Sequence, residues 1–227
     1  TEAGAALSTA STIETADLLY AGNIDRWKKF ANSLLLRAGM RLSKVDAAKA
    51  QSVVAAAAAA GVITNNADNA AIRHDANYTH PVGGGLNGTE AANFYLTKPF
   101  VDHLKNSNDP RLSAIAVRYV GAKSGNDHTA AGGVITPDVQ IGMPMGLDNG
   151  TAPGQATTDG LASFYDYSQA DRRRILKVTT PAFLVTASQN LLLMAEARFR
   201  GWITSGTAEQ YFSDGISAHM DQMAQYD

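Results

Sequence analysis

Two segments of the chain combine aromatic rings with amides and carboxylates. They are His74-Asp-Ala-Asn-Tyr-Thr-His80 and Phe164-Tyr-Asp-Tyr-Ser-Gln169. An aromatic ring stacks on the C–H face of a sugar, while amide and carboxylate groups bond to its hydroxyls. The candidate site residues are therefore the stacking rings and two hydrogen-bonding side chains: Tyr78, Tyr165, Tyr167, Asn77 and Asp166. The competing interpretation of each tyrosine is a loop anchor packed in the core.

The first segment also contains possible metal ligands in His74, Asp75 and His80. Their spacing matches no single helix face, and no second ligand pair lies nearby in the sequence. The oxygen-rich stretch Asp148-Asn-Gly-Thr151 lacks the downstream glutamate of a calcium loop, so an ordinary Asx turn is the better interpretation. The sequence predicts no metal site.

Catalytic motifs are also missing. The chain has no Gly-x-Ser-x-Gly, no His-Glu-x-x-His, no phosphate loop and no dinucleotide fingerprint. The glycines at 83–85 neither follow a predicted strand nor open a predicted helix, which favours a flexible loop. Glu196 faces Arg200 one helical turn on, so we expect a structural ion pair there. We predict no catalytic residues and no cofactor.

Composition excludes several classes of function. The chain has 227 residues, a formal net charge of −2 and no cysteine. Nucleic-acid binders carry a basic face, which this balance does not indicate. The longest apolar run, from Val53 to Ala60, is far shorter than the roughly 20 residues of a membrane span. The first six residues lack the basic start and apolar core of a secretion signal.

The chain contains two predicted helical hairpins. In the first, Asn23 and Asp46 are placed to cap two helices, and Gly61 ends the second. We expect its core stripe to follow positions three and four apart, with Arg41 as an anomalous charge inside it. The stripe residues are Trp27, Ala31, Leu34, Ala38, Leu42 and Val45, while Leu36 and Met40 lie on the opposite side, so we expect the helix to be covered on two faces and central to the domain.

The second hairpin follows near the C-terminus. Its first helix ends at Gly201, and Thr207 with Gln210 has the spacing of a capping box for the next helix. Gly215 would allow the neighbouring helix to approach closely. Long loops rich in glycine and polar residues separate the two hairpins.

Four segments carry sequence motifs that are more specific than those of helical hairpins in general. Ala195-Glu-Ala-x-x-x-Gly-Trp202 followed by Tyr211-Phe-x-x-Gly-Ile216 resembles the C-terminal half of the SusD/RagB family. The stretch from Arg26 to Leu42 is similar to its long central helix. Asn108-Asp-Pro-Arg-Leu112 is similar to its helix-ending turn, and Gly142-Met-Pro-Met-Gly146 to one of its loops. These matches extend over nearly the whole chain.

The resemblance implies an all-α fold of tetratricopeptide-like hairpins with long irregular loop insertions. Residues 1–16 would be a mobile lead-in, and residues 17–227 a single helical domain that is incomplete at its N-terminal side, because family members are about twice as long. It further implies non-catalytic binding of oligosaccharides at the outer-membrane surface and delivery to a SusC-like TonB-dependent transporter. The lipid anchor of such proteins is not part of this sequence.

Two alternatives stay open at this point. The hairpins could form a protein-interaction or peptide-binding scaffold without sugar binding. A hydrolase is the other alternative, with part of its catalytic groups outside this sequence. Exposed, clustered loop aromatics would favour the glycan, whereas an exposed apolar helix groove would favour a protein partner.

Overall fold

The computed structural model describes residue 14 and residues 16–87 and 94–226. The helices, in chain order, are α1 Ile24–Arg41, α2 Ala47–Ala60, α3 Pro81–Asn87, α4 Lys98–Asn106, α5 Leu112–Ile115, α6 Ala152–Thr158, α7 Ala187–Phe199 and α8 Ala208–Met223. The strands are β1 Ala70–Ile72, β2 Ala116–Val117, β3 Gln169–Ala170 and β4 Ala182–Val185. The predicted helical character is confirmed.

The chain divides into two compact units. The hairpin unit comprises the described residues up to Arg73 together with Pro181–Gln225, and the insert unit comprises His74–Thr180 with Tyr226. The prediction of a single domain over 17–227 stays a prediction, because compact packing units are not in themselves independent domains. Most of the predicted lead-in, residues 1–16, lies outside the described residues.

Local sequence signals define the ends of the helices in the hairpin unit. The Asn23 side chain accepts from the Arg26 N–H at the start of α1, and Asp46 does the same for Lys49 at the start of α2. Gly61 and Gly201, which follow α2 and α7, have φ of 90° and 73°. These left-handed values favour glycine. The caps predicted from the sequence are confirmed.

The start of α8 differs in one detail from the predicted capping box. Thr207 accepts from the Gln210 N–H, as expected. The Gln210 side chain, however, donates to Asp214 Oδ1 at 2.6 Å, one turn further along the helix. An i,i+4 hydrogen bond on the helix surface has replaced the reciprocal half of the box.

The side of α1 that carries Leu36 and Met40 is covered as predicted, whereas the core stripe on the other side was wrong at Leu34, Ala38 and Val45. Leu36 is fully buried and Met40 nearly so, whereas Leu34 is 36% exposed and Val45, just past the helix, is 85% exposed. The side of α1 that carries Leu36 and Met40 packs with buried residues of α2 and α7. Arg41 is exposed, so the anomalous charge needs no buried partner.

A buried polar cluster joins three segments of the hairpin unit. Ser33 Oγ donates to the Lys29 carbonyl and accepts from Ile63 N and Asn190 Nδ2. Asn190 Nδ2 also donates to the Ile63 carbonyl at 3.0 Å. Because an unpaired polar group is costly in a core, these bonds fix how α1, α7 and the segment after α2 fit together.

Gly215 performs the packing role that the sequence predicts. A Cβ at this position would lie 2.9 Å from Leu192 Cγ on α7, a distance that real Cβ atoms do not show. The absence of a side chain therefore allows α8 to approach α7 closely. Beside the hairpins, β1 pairs antiparallel with β4, with Ala71 opposite Phe183.

The insert unit combines short helices with tight turns and one two-stranded ladder, in which Ala116 faces Ala170. Its buried polar side chains are numerous: Arg118, His128, Gln140, Asp166, Ser168, Gln169, Asp171, Arg172 and Thr180. Arg118 Nε donates to the Asp166 carbonyl at 2.8 Å and to its carboxylate at 3.0 Å. Such bonds compensate for the loss of hydration of these groups.

The glycines at 83–85 do not form the loop that the sequence predicts, because they lie within α3. Pro81 begins this helix at a position where the missing N–H costs nothing. A Cβ on Gly83 would lie 2.7 Å from the Lys177 carbonyl oxygen. The glycine there permits close approach of the backbone at 177, which outweighs its low helix propensity.

Candidate functional site

The segment from His74 to His80 is a tight turn stabilised by its own aspartate. Asp75 N donates to the Tyr78 carbonyl at 3.0 Å. Asp75 Oδ1 accepts from the N–H groups of Asn77 and Tyr78, both at 2.8 Å. These backbone donors lower the pKa of the Asp75 carboxyl below its ordinary value, because they stabilise the charged form. The turn is therefore ordered by local bonds.

Tyr78 projects from this turn with 58% of its surface exposed. One face of its ring stacks on His74, with a centroid distance of 5.3 Å and an interplanar angle of 23°. His74 in turn contacts the ring of His80 edge-on at 4.9 Å. The three rings form an aromatic platform, defined here as His74, Tyr78 and His80, whose outermost ring is open to solvent.

The platform is fastened to the end of the insert unit. His74 Nδ1 lies 2.7 Å from the Thr180 carbonyl oxygen, and His80 N donates to the Val178 carbonyl at 2.7 Å. His80 Nδ1 accepts from the Gly83 N–H at 3.2 Å, which requires that nitrogen to be unprotonated. Burial, and to a lesser degree His74, lowers the pKa of the His80 imidazole, so the neutral ring is favoured.

Asn77 lies in the same turn as Tyr78 and is exposed. Its amide can donate and accept hydrogen bonds beside the open ring. An open aromatic face next to an exposed amide is the combination that binds a sugar ring through its C–H groups and hydroxyls. The structure therefore brings together two of the five residues that the sequence predicts.

Tyr165 lies in a different part of the insert unit and is half-buried. Its ring stacks on Phe164 at 4.2 Å and contacts His128 edge-on at 5.8 Å. The Tyr165 carbonyl lies 2.8 Å from His128 Nε2. The residue has part of its surface available for a ligand, but most of its contacts hold the turn.

Asp166 and Tyr167 do not have the positions that a binding surface requires. Tyr167 is fully buried, and its hydroxyl donates to Asp159 Oδ2 at 2.6 Å. Asp166 is 3% exposed, and its carboxylate binds Arg118. Both side chains make their contacts in the interior, which for Tyr167 is the predicted alternative of a loop anchor. Neither residue therefore belongs to the candidate site.

The part that His74 plays was not predicted from the sequence. This histidine was a possible metal ligand there, whereas its ring is the surface on which Tyr78 stacks. The four-residue spacing of the two rings across an Asp-x-Asn turn was the available signal. Within residues 16–87 and 94–226, no three His, Cys, Asp or Glu side chains form a group that could hold a metal ion.

Other predicted pairings are confirmed. Arg200 binds Glu196 Oε1 through Nε at 2.8 Å and through Nη2 at 2.7 Å. Asp148 Oδ1 accepts from the N–H groups of Gly150 and Thr151, which makes the predicted Asx turn. Both carboxylates therefore have structural partners within four residues of the chain.

Similarity to known proteins places this geometry in a family. A SusD-like family model, described as starch-binding associating with outer membrane, matches residues 1–226. The chain belongs to the SusD-like family. No curated protein sequence matches this one.

Solved structures agree with the family assignment. The SusD-like chain aligns with the structure described as Bacteroidetes AC2a SusD-like at a TM-score of 0.79 and 25% identity, over 99% of this chain and 52% of that one. It aligns with a chitin-binding SusD homolog from Flavobacterium johnsoniae at 0.73 and 25% identity, over 98% and 42%. A SusD homolog from Bacteroides fragilis gives 0.76 and 25% identity, over 99% and 46%.

The SusD-like chain therefore spans about half the length of the solved relatives that it matches. The family is associated with the outer membrane. Among the helices of the described residues, none combines the length and apolar character that a membrane crossing requires.

Proposed function

We propose that this protein binds oligosaccharides at the cell surface without cleaving them. The observation that carries the proposal is the platform, in which a solvent-exposed Tyr78 ring is supported by His74 and flanked by Asn77. A ring that is already stacked, on a turn whose backbone is held by hydrogen bonds, loses little conformational freedom when a ligand binds. Family membership and the printed description of relatives as chitin-binding support the same ligand class.

The bound glycan is then delivered to a SusC-like TonB-dependent transporter in the outer membrane. Association of the family with that membrane supports this step. In the proposed arrangement the protein is held at the outer face by a lipid anchor on the longer polypeptide. The glycan-binding residues in this proposal are Asn77 and Tyr78, with Tyr165 as a weaker contributor.

Isothermal titration against maltooligosaccharides, chitooligosaccharides and control peptides tests the proposal, together with product analysis after long incubation. We expect saturable binding to one glycan class and no cleavage. Tyr78→Ala should weaken binding about tenfold, because an aromatic contact contributes about 0.5–1.5 kcal/mol beyond its buried area. Tyr78→Phe retains the ring and serves as the matched control. Unchanged affinity in Tyr78→Ala would exclude the platform, and glycan cleavage would exclude a purely binding role.

A second candidate function, a protein-interaction scaffold, has an observation of its own. A groove of about 570 Å³ lies between α7 and α8, with Leu192, Phe199 and Phe212 in its lining. Phe199 is 85% exposed and Phe212 56% exposed. Contiguous exposed apolar surface is typical of a protein interface. Peptide or protein binding that is lost in Phe199→Ser, in the absence of any glycan binding, would favour this function.

A further inference from the structure

The Asn108-Asp-Pro-Arg turn does more than end a helix. It follows α4 and, together with the Pro137–Val139 turn, encloses a cavity of about 560 Å³ in the insert unit. That volume falls within the range of small-ligand sites, roughly 300–1,000 Å³. From the sequence alone, this motif has no expected role beyond the turn itself.

Internal bonds hold the two walls of the cavity together. Lys105, near the end of α4, donates through Nζ to the carbonyls of Asp138 and Gln140, both at 3.0 Å. On the other side, Arg111 binds the Asp109 carboxylate with two donors, Nε donating to Oδ1 at 2.9 Å and Nη2 donating to Oδ2. This bidentate contact raises the pKa of the Arg111 guanidinium and lowers that of the Asp109 carboxyl. The cavity is thus formed before any ligand binds.

Three polar side chains in the lining are left for a ligand. Asn106, Asn108 and Asp138 are exposed and line the cavity. None of the three side chains makes a hydrogen bond or ion pair with any residue that the structure describes. Together they offer two amides and a carboxylate, which can both donate to and accept from hydroxyl groups.

The same cavity has apolar surface beside these groups. Leu104 is 3% exposed at its base, and the rings of Pro110 and Pro137 are part of the lining. Proline rings and a leucine present C–H surface against which a ligand's own C–H faces can pack. Two amides next to small apolar surfaces match a ligand that is polar at its edges and apolar on its faces.

The charges of the cavity favour a neutral ligand. Arg111, just outside the lining, pairs with the Asp109 carboxylate, and Lys105 Nζ binds the Asp138 and Gln140 carbonyls beside the unpaired Asp138 carboxylate. Because these two positive and two negative side chains sum to zero, neither an anionic nor a cationic ligand gains by the net charge at the cavity.

We propose that this cavity, referred to here as the turn cavity, is a second binding site for a neutral saccharide, with Asn106, Asn108 and Asp138 as its hydrogen-bonding residues. Lys105 is a positioning residue, because its ammonium holds the wall formed by residues 138–140. The proposal rests on the proposed function for its ligand class, but it uses residues that the platform does not contain.

The test is a titration of the isotope-labelled protein with maltotriose and with triacetylchitotriose, followed through the backbone amide signals. We expect one of these saccharides to shift the signals of residues 104–113 and 137–140. The shifts should persist in Tyr78→Ala, which removes the platform but leaves the turn cavity intact. Asp138→Ala and Asn106→Ala should each raise the dissociation constant at the turn cavity about three- to tenfold, as for the loss of one hydrogen bond.

Asp25→Asn is the matched control, because this carboxylate is 88% exposed at the start of α1 in the other unit and should leave the dissociation constant unchanged. Asn106 and Asp138 make no side-chain bonds within the described chain, so we expect their variants to fold. Shifts confined to residues 74–80, no shifts with either saccharide, or an unchanged constant in both alanine variants would overturn the proposal. Shifts at the turn cavity without any at the platform would overturn the platform alone.

Discussion

The hairpin unit and the insert unit fill their interiors with different chemistry. The hairpin unit buries mainly apolar side chains between helices, with Ser33 and Asn190 as a small polar cluster. The insert unit buries charged and amide side chains that bond to backbone carbonyls, of which Arg118 is the clearest example. A helix satisfies its own backbone, whereas an irregular segment needs side chains to do so.

This difference has a consequence for function. Irregular segments can present side chains in arrangements that a regular helix does not allow, and binding residues are often on such segments. Both candidate saccharide sites, the platform and the turn cavity, lie in the insert unit. The apolar groove that would suit a protein partner lies in the hairpin unit.

The largest expected effect comes from breaking the buried ion pair of the insert unit. Arg118→Ala leaves the Asp166 carboxylate buried without its partner and also removes the bond to the Val139 carbonyl. We expect a loss of about 3–5 kcal/mol in the free energy of unfolding of this unit, measured by hydrogen exchange. The double variant Arg118→Met with Asp166→Leu should recover most of it. A loss below about 1 kcal/mol would contradict the polar-core interpretation.

The corresponding test of the hairpin unit is Leu36→Ala. Leu36 is fully buried among α1, α2 and α7, so the truncation should cost about 2–5 kcal/mol through lost burial and a cavity. Leu34→Ala, on the same helix but with 36% exposure, is the control and should cost less than half as much. Equal losses in the free energy of unfolding of the two variants, measured by denaturant unfolding, would support the core stripe predicted from the sequence.

Replacing one glycine by alanine in each unit compares how the two units tolerate an added methyl group. A Cβ at Gly142 would lie 2.5 Å from Lys98 Cα, which is backbone, whereas one at Gly215 meets the Leu192 side chain at 2.9 Å. Side chains yield more easily, so within the range of about 1–3 kcal/mol for overpacking we expect Gly142→Ala to destabilise more. Gly154→Ala in α6 meets nothing within 4 Å and should stabilise by about 0.5–1 kcal/mol. The measurement is thermal unfolding of all three variants. A midpoint for Gly142→Ala above that of Gly215→Ala would contradict this interpretation.

The smallest expected effect is the loss, at low pH, of the hydrogen bonds that the Asp75 carboxylate makes in the turn of the platform. The pKa of the Asp75 carboxyl is lowered from its ordinary 3.8 in the folded turn. The stability that its charged form gives to the turn is therefore complete above pH 3.8, and it is lost as the pH falls through the lower pKa of the folded state. Amide shifts of Asn77 and Tyr78 should follow this titration, and Asp75→Asn should abolish it. Constant shifts down to the acid unfolding of the chain would contradict the role given to Asp75.

Several features could be read directly from the sequence because they depend on neighbouring residues. Asn23 and Asp46 cap their helices through N–H groups three residues away, and Gly61 and Gly201 end helices with positive φ. The pairing of Glu196 with Arg200 likewise needs only one turn of helix. In each of these the interacting groups are separated by a fixed, short stretch of backbone.

Burial was harder to predict. Leu34 and Leu36 are the same residue type two positions apart on one helix, and the prediction that both of their sides are covered was right for Leu36 and wrong for Leu34. Tyr78 and Tyr167 both stand in loops rich in polar residues, yet one is 58% exposed and the other fully buried. Residue type and spacing give no means to distinguish the members of either pair.

The sequence by itself determined the helix ends, the hairpins and, through its motifs, membership of the SusD-like family. Only the tertiary structure decided which side of α1 is core, that Asp166 and Tyr167 are internal, and that the Asn108-Asp-Pro-Arg turn encloses a cavity with residues 137–138. The physical reason is the range of the interactions. Caps and turns are satisfied within a few residues, whereas burial depends on surfaces contributed by segments distant in the chain.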